Sequence, residues 1–287
     1  MSAVAVEPQR VVQPAPARKP RKRWTRFILP TYTGAFMLYL SFPIFIIILF
    51  SFNQTRTGFG TAPRVKTTWV GFTTVWYRHV FDIPDLTVAI QHSLEIALLS
   101  SLAAAALGTF VGLALGRYRY RGKAATDFVI FLNISAPEIV LGAALAGFFI
   151  SAGATRGLFT LLISHTMFSI PFVAVTVRAR AAGLDRALEN AAMDLGANPV
   201  TTFIKITLPL MFPGILAGWL LALALSMDDF VITQFVQGPA TMFPTWVLGA
   251  TKVGIPPHVF VFATFIFTAG VILALTNFAF AARRRPA

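Results

Sequence analysis

An all-α membrane protein with six transmembrane helices is the fold class that this sequence predicts, and three observations predict it. Of its 287 residues, 56% are hydrophobic and only 12% charged, with 28 Phe. That balance is wrong for a soluble domain and right for a chain that crosses a bilayer repeatedly. Six apolar runs are each long enough to fill a hydrocarbon core of roughly 30 Å. The basic residues behind the formal net charge of +13 gather just beyond those runs. This is the membrane-topology pattern and not a continuous basic groove, so the expected partner is the lipid bilayer and not nucleic acid. The absence of Cys excludes disulfides, zinc–thiolate sites and iron–sulfur clusters. His79, His92, His165 and His258 show no ligand spacing. They read as isolated polar residues near span ends, and no metal is expected.

Taken in order, residues 1–26 are rich in Pro, Ala, Arg and Lys with no periodic apolar face, which predicts a disordered basic arm. A membrane domain then fills 27–282. Its first span is 28–52, with the uncharged heart FPIFIIILFSF. The following polar stretch carries Trp69, Trp76 and Tyr77, amphipathic aromatics that suit a short helix on the outer interface. The second span is 91–115. Gly108, Gly112 and Gly116 recur every fourth residue there, leaving nearly bare backbone on one face for the close approach of another helix. The third span, 128–151, contains the break APEIVLG; Pro137 removes a helix hydrogen bond there. The fourth, 158–177, is interrupted by Pro171. The fifth is 214–236, and the sixth, 259–281, leads to the basic tail 283–287.

Six spans with a basic amino terminus place both termini in the cytoplasm. The segments then expected inside hold 18 of the 24 Lys and Arg, in accord with the positive-inside rule.

The stretch 184–209, LDRALENAAMDLGANPVTTFIKITLP, lies on the inner side between two spans. Ala, Leu, Glu and Met favour helix over 185–195. Gly196 and Asn198-Pro199 interrupt it, and a second short run over 200–206 ends at Leu208-Pro209. A helix-turn-helix of this length is too structured for a tether and reads as a docking surface. Its spacing resembles the EAA loop of importer-type ABC transporter permeases, whose pattern is Glu-Ala-Ala, three residues, Gly, nine residues, Ile-x-Leu-Pro. Asn190, Ala191 and Ala192 precede Gly196 at that distance, and Ile206, Leu208 and Pro209 follow. Asn190 replaces the motif's Glu. Glu189 stands one residue earlier, about 100° round a helix, and is not expected to substitute simply for it. GFTTVWYRHVF, LGRYRYRGK, APEIVLG and SMDDFVITQFVQGP are similar to the spermidine/putrescine branch, in its second permease subunit.

The resemblance implies an inner-membrane, multi-pass permease that is not itself an enzyme. It implies a second related permease, ATP-binding cassette subunits and an extracytoplasmic solute-binding protein as partners. In the family the loop is a coupling helix seated on the ATP-binding subunit, which assigns the ATPase contact to Glu189, Asn190, Ala191, Ala192, Leu195, Gly196, Ile206, Leu208 and Pro209. Leu195 and Ile206 are the expected apolar anchors. The residues agree on one point: no Gly-rich phosphate loop ending in Lys-Ser/Thr occurs in the chain, so ATP is expected on a partner and no cofactor here.

Carboxylates inside a span are disfavoured by roughly 2.5–3.5 kcal/mol near its centre and commonly face a watery path. Counted along straight helices, Glu138 falls near the midplane of span three and Asp228 in the outer half of span five, with Asp229 beside it. These three suggest an acidic path for an extended polycation such as a polyamine. Pairing with a partner permease, or hydrogen bonds that hold a bent helix, are the other roles open to either Asp. Another cationic or small organic solute is an alternative cargo. In a different class, a proton-coupled secondary carrier working through Glu138 and Asp228 leaves the docking loop without a task.

Overall fold

The computed structural model of the protein describes residues 25–54 and 69–283. Nearly all of the expected arm (1–26) and tail (283–287) lies outside them. Helix α1, Thr25–Ser51, runs through Pro30 and Pro43, and its apolar part is Phe27–Ser51. The chain up to Leu49 forms a unit by itself.

The second unit begins with a turn built on Asn53. Its Oδ1 accepts from the Val70 N–H at 2.9 Å, and its carbonyl accepts from Trp76 Nε1 at 2.9 Å. Helix α2, Val75–Arg78, has only four residues, so the expected interfacial helix is a single turn. Helix α3, Pro84–Arg117, has 34 residues, about 51 Å at a rise of 1.5 Å per residue. Pro84 and Asp85 open it and Arg117 closes it, matching the demands of its two ends.

The third span is not one helix. Helices α4 (Lys123–Ser135) and α5 (Glu138–Ser151) meet at a bend of 106°. Ala136, held extended by the proline after it, and Pro137 with ψ 130° carry the turn. Helix α6, Leu158–Ala182, passes through Pro171 unbroken, contrary to the expected interruption. One lost backbone bond is absorbed in a helix packed among neighbours.

Helix α7, Ala187–Asp194, ends before Gly196, whose φ of +89° supplies the left-handed turn. Helix α8, Pro199–Thr202, begins on Asn198, whose Oδ1 accepts from the Thr201 N–H at 2.8 Å. A π-helical turn, Phe203–Thr207, joins it to helix α9, Leu208–Asp228. The helix therefore does not stop at Leu208-Pro209. It is one 30-residue run, Pro199–Asp228, and the span begins before residue 214. The Leu208 N–H bonds to the Phe203 carbonyl, five residues back. That wider turn sits just before Pro209, where an α-helical turn brings the proline ring against the carbonyl four residues earlier. Asp229 is extended (ψ 115°) and separates α9 from helix α10, Val231–Val236, so the fifth span ends at Asp228 instead of running to 236. Helices α11, Phe243–Val253, and α12, Pro257–Arg283, complete the described residues. Among the described residues five helices are long and apolar enough to cross a membrane, or six spans with the bent pair as one.

The centre of the second unit is α3, α6 and α9. A Cβ on Gly108 would lie 2.7 Å from the Val173 Cβ, one on Gly112 would lie 2.5 Å from the Ala174 carbonyl oxygen, and one on Gly116 2.9 Å from the Ala181 Cβ. Gly214 of α9 meets the Arg180 side chain equally closely, at 2.6 Å. The glycine stripe is thus a packing face. Bare backbone lets α3 and α6 approach where lipid supplies no hydrophobic drive for helices to associate.

Candidate functional site

The loop 184–209 turns Glu189 and Thr207 inward while Asp185, Asp194 and Lys205 stay exposed. Glu189 leaves α7 toward the end of α3: its Oε2 accepts from Arg117 Nη2 at 2.6 Å, and its Oε1 accepts from the Thr207 hydroxyl at 2.5 Å. The Arg186 guanidinium donates to the Arg117 carbonyl. Asn190, one residue on, is exposed, as the 100° step between neighbours requires. Ala191 and Gly196 are exposed and Ala192 is half-buried. Leu195 is 90% exposed, a large apolar side chain held out at the loop's tip. Ile206 and Leu208 are half-buried and Pro209 is exposed. Ile206 is therefore the weaker of the two expected anchors. Val200 and Ile204 are exposed in its place; their spacing of four puts them on one helical face, a signal that was legible in 200–206.

The three acidic candidates sit in unlike surroundings. Glu138 is exposed in the first turn of α5, at the bend, so its depth is not that of a point along a straight span. Asp228 is exposed at the carboxyl end of α9, not part-way along the fifth span. Neither forms an ion pair among the described residues. Asp229 is buried. Its carboxylate accepts from the Thr233 N–H at 2.8 Å, the Thr233 hydroxyl at 2.9 Å and the Ile232 N–H at 3.3 Å, capping the start of α10. The two breaks adjoin: a Cβ on Gly142 of α5 would fall 2.7 Å from the Phe235 ring of α10.

His165, expected near a span end, is instead buried within α6. Its Nε2 lies 3.0 Å from the Thr233 hydroxyl and 3.3 Å from Asp229 Oδ2, and its Nδ1 lies 2.7 Å from the Ser226 hydroxyl. Ser226 pairs in turn with Ser100 of α3 at 3.0 Å. With the Thr233 hydroxyl proton given to Asp229, Nε2 of His165 is the donor to Thr233. One polar chain thus joins α3, α6, α9 and α10. The signal that finds it is an ionisable residue inside an apolar run, which needs a partner whether or not it binds metal.

Among the described residues no group of three His, Asp or Glu is placed to hold a metal. A cavity of about 250 Å³ between α4, α5, α6 and α10 is lined by Leu141, Phe148, Met167 and Ile232, with Asn133 as its polar member. It is apolar, and Glu138, Asp228 and Asp229 do not line it.

Residues 108–285 match the family described as binding-protein-dependent transport system inner membrane component. The chain is 38% identical over 253 residues to the spermidine/putrescine transport system permease protein PotC of Escherichia coli (strain K12), covering 88% of this chain and 93% of that one. To the putrescine transport system permease protein PotI of the same strain it is 36% identical over 239 residues, covering 80% and 82%. Its fold is similar to a solved bacterial ABC transporter involved in import of the acidic polysaccharide alginate, with a TM-score of 0.63 at 17% identity over 96% of this chain and 100% of that one. These relatives are transport permeases and not enzymes, and they do not favour the proton-coupled carrier. The chain belongs to the binding-protein-dependent transport system inner membrane component family, as a multi-pass permease of the ABC importer type homologous to the spermidine/putrescine permeases.

Proposed function

We propose that the chain is one of two membrane-spanning subunits of an ATP-driven polyamine importer. Loop 184–209 lies in the cytoplasm with both termini and docks an ATP-binding subunit, where ATP is bound and hydrolysed. A second permease completes the path, and an extracytoplasmic binding protein delivers spermidine or putrescine. The observation that carries the reading is the loop: Glu189 is satisfied internally while Leu195, Val200 and Ile204 stand out. Exposed apolar groups on a rigid polar loop suit a protein partner, with Leu195 as the central anchor. Asn190, Ala191, Ala192 and Gly196 form the surface beside it, with Ile206 of the π-helical turn and Leu208 and Pro209 at the start of α9 behind it.

The same contrast supports the path. Glu138 and Asp228 present carboxylates on the chain's surface and not in its own apolar cavity, as a path shared with a second subunit requires. Fixed carboxylates replace part of the water that a polyamine's ammonium groups give up, and their separation lets the cation leave. Asp229 serves the path indirectly, by holding the break that presents Asp228. The test is uptake of labelled spermidine and putrescine into proteoliposomes that hold this chain with its ATP-binding subunit, second permease and binding protein. Uptake is expected to need ATP, and Leu195→Asp is expected to release the ATP-binding subunit. Uptake that runs on a proton gradient without ATP refutes the proposal.

A further inference from the structure

We infer that Arg117, Glu189 and Thr207 form an internal clamp that ties the docking helix to the ends of two spans, so that movement of α7 is carried into the membrane core. The inference rests on the importer reading above and gives Glu189 a role inside the permease in place of a contact with the ATPase. An ion pair on an open surface has little influence on its neighbours, but this pair is enclosed: the Arg117 side chain is 6% exposed and that of Glu189 23%. Both carboxylate oxygens are in use, one on the last residue of α3 and one on the π-helical turn that leads into α9. Arg186, one turn before Glu189, holds the carbonyl of Arg117 as well. Helix α7 therefore cannot tilt without drawing on α3, on Thr207, or on both. Beyond the clamp the contacts are unyielding, because Gly112, Gly116 and Gly214 leave no slack against α6. Displacement at the loop has a continuous route of packed atoms into α3, α6 and α9. Arg117, Glu189 and Thr207 are positioning residues, and none of them touches the cargo.

The test uses the whole transporter in proteoliposomes with spermidine as the probe, reading retention of the ATP-binding subunit, ATP hydrolysis, and spermidine taken up per ATP. In Glu189→Gln and Thr207→Val, hydrolysis is expected to stay within about twofold while uptake per ATP falls at least about fivefold, the lower end of ordinary site-to-site coupling. Thr207→Ser, which keeps the hydroxyl, is expected to restore uptake per ATP. Should Glu189→Gln not fold, Thr207→Val decides the matter. Unchanged uptake per ATP in these variants overturns the clamp. So does loss of the ATP-binding subunit from Glu189→Gln, which places Glu189 at the partner surface. A wild-type complex without ATP-driven uptake overturns the importer reading and the clamp together.

Discussion

The loop 184–209 and the α9–α10 break solve one problem in the same way at opposite ends of a long helical run. Each places two polar residues side by side, and in each the pair divides. Glu189 turns in and is satisfied by Arg117 and Thr207, while Asn190 is exposed. Asp229 turns in and caps α10, while Asp228 is exposed. Glu189 and Asn190 are neighbours on a helix and point about 100° apart, whereas Asp229 has left the helix (ψ 115°) and parts from Asp228 through the change of backbone direction. In each pair one member is held within the chain while the other stays available to something outside it. The regions differ in what the inner residue grips. Glu189 reaches a side chain 72 positions away; Asp229 grips chiefly its own next turn, with His165 alongside. The first arrangement links helices, and the second shapes one bend.

If that division holds, substitutions at inner positions cost stability and those at outer positions cost only function. The largest effect is expected for Asp229→Ala, which removes the cap and strands the Ile232 and Thr233 donors. A loss of about 2–4 kcal/mol follows from a lost cap and unsatisfied buried groups, read as a lower melting temperature in detergent. Thr233→Val keeps the backbone bond to Asp229 and loses the hydroxyl between it and His165. It should cost about 1–3 kcal/mol for the polar groups left unpaired, by the same measurement. Asp228→Asn should leave stability within about 0.5 kcal/mol, as exposed substitutions do, while weakening half-saturation by spermidine in uptake assays; equal loss of stability in Asp228→Asn and Asp229→Asn breaks the comparison. The smallest effect is expected for Asn190→Ala, with stability again within about 0.5 kcal/mol and a modest loss of ATP-binding subunit on co-purification.

The apolar spans, five long helices and the bent pair α4–α5, are legible because a run's length and hydropathy answer directly to the thickness of a bilayer. Prolines were legible only in part. Pro137 breaks its span, as expected, yet Pro171 and Pro209 lie in continuous helix. A lost N–H makes a bend cheap without compelling it, and a π-turn ahead of Pro209 removes the clash. Metal-ligand spacing leaves the role of His165 illegible. Its partners are Ser226 and Thr233, 61 and 68 residues on, and a single helix's pattern holds no record of them.

Composition and span length determine by themselves that this is a helical membrane protein, and the spacing from Asn190 to Pro209 carries its resemblance to importer-type permeases. Those features depend on the solvent and on local backbone chemistry, both of which a linear chain records. Which member of each polar pair turns inward was decided only in the folded chain. The choice depends on where Arg117, His165 and Thr207 come to lie, and a buried carboxylate is stable only where distant donors reach it.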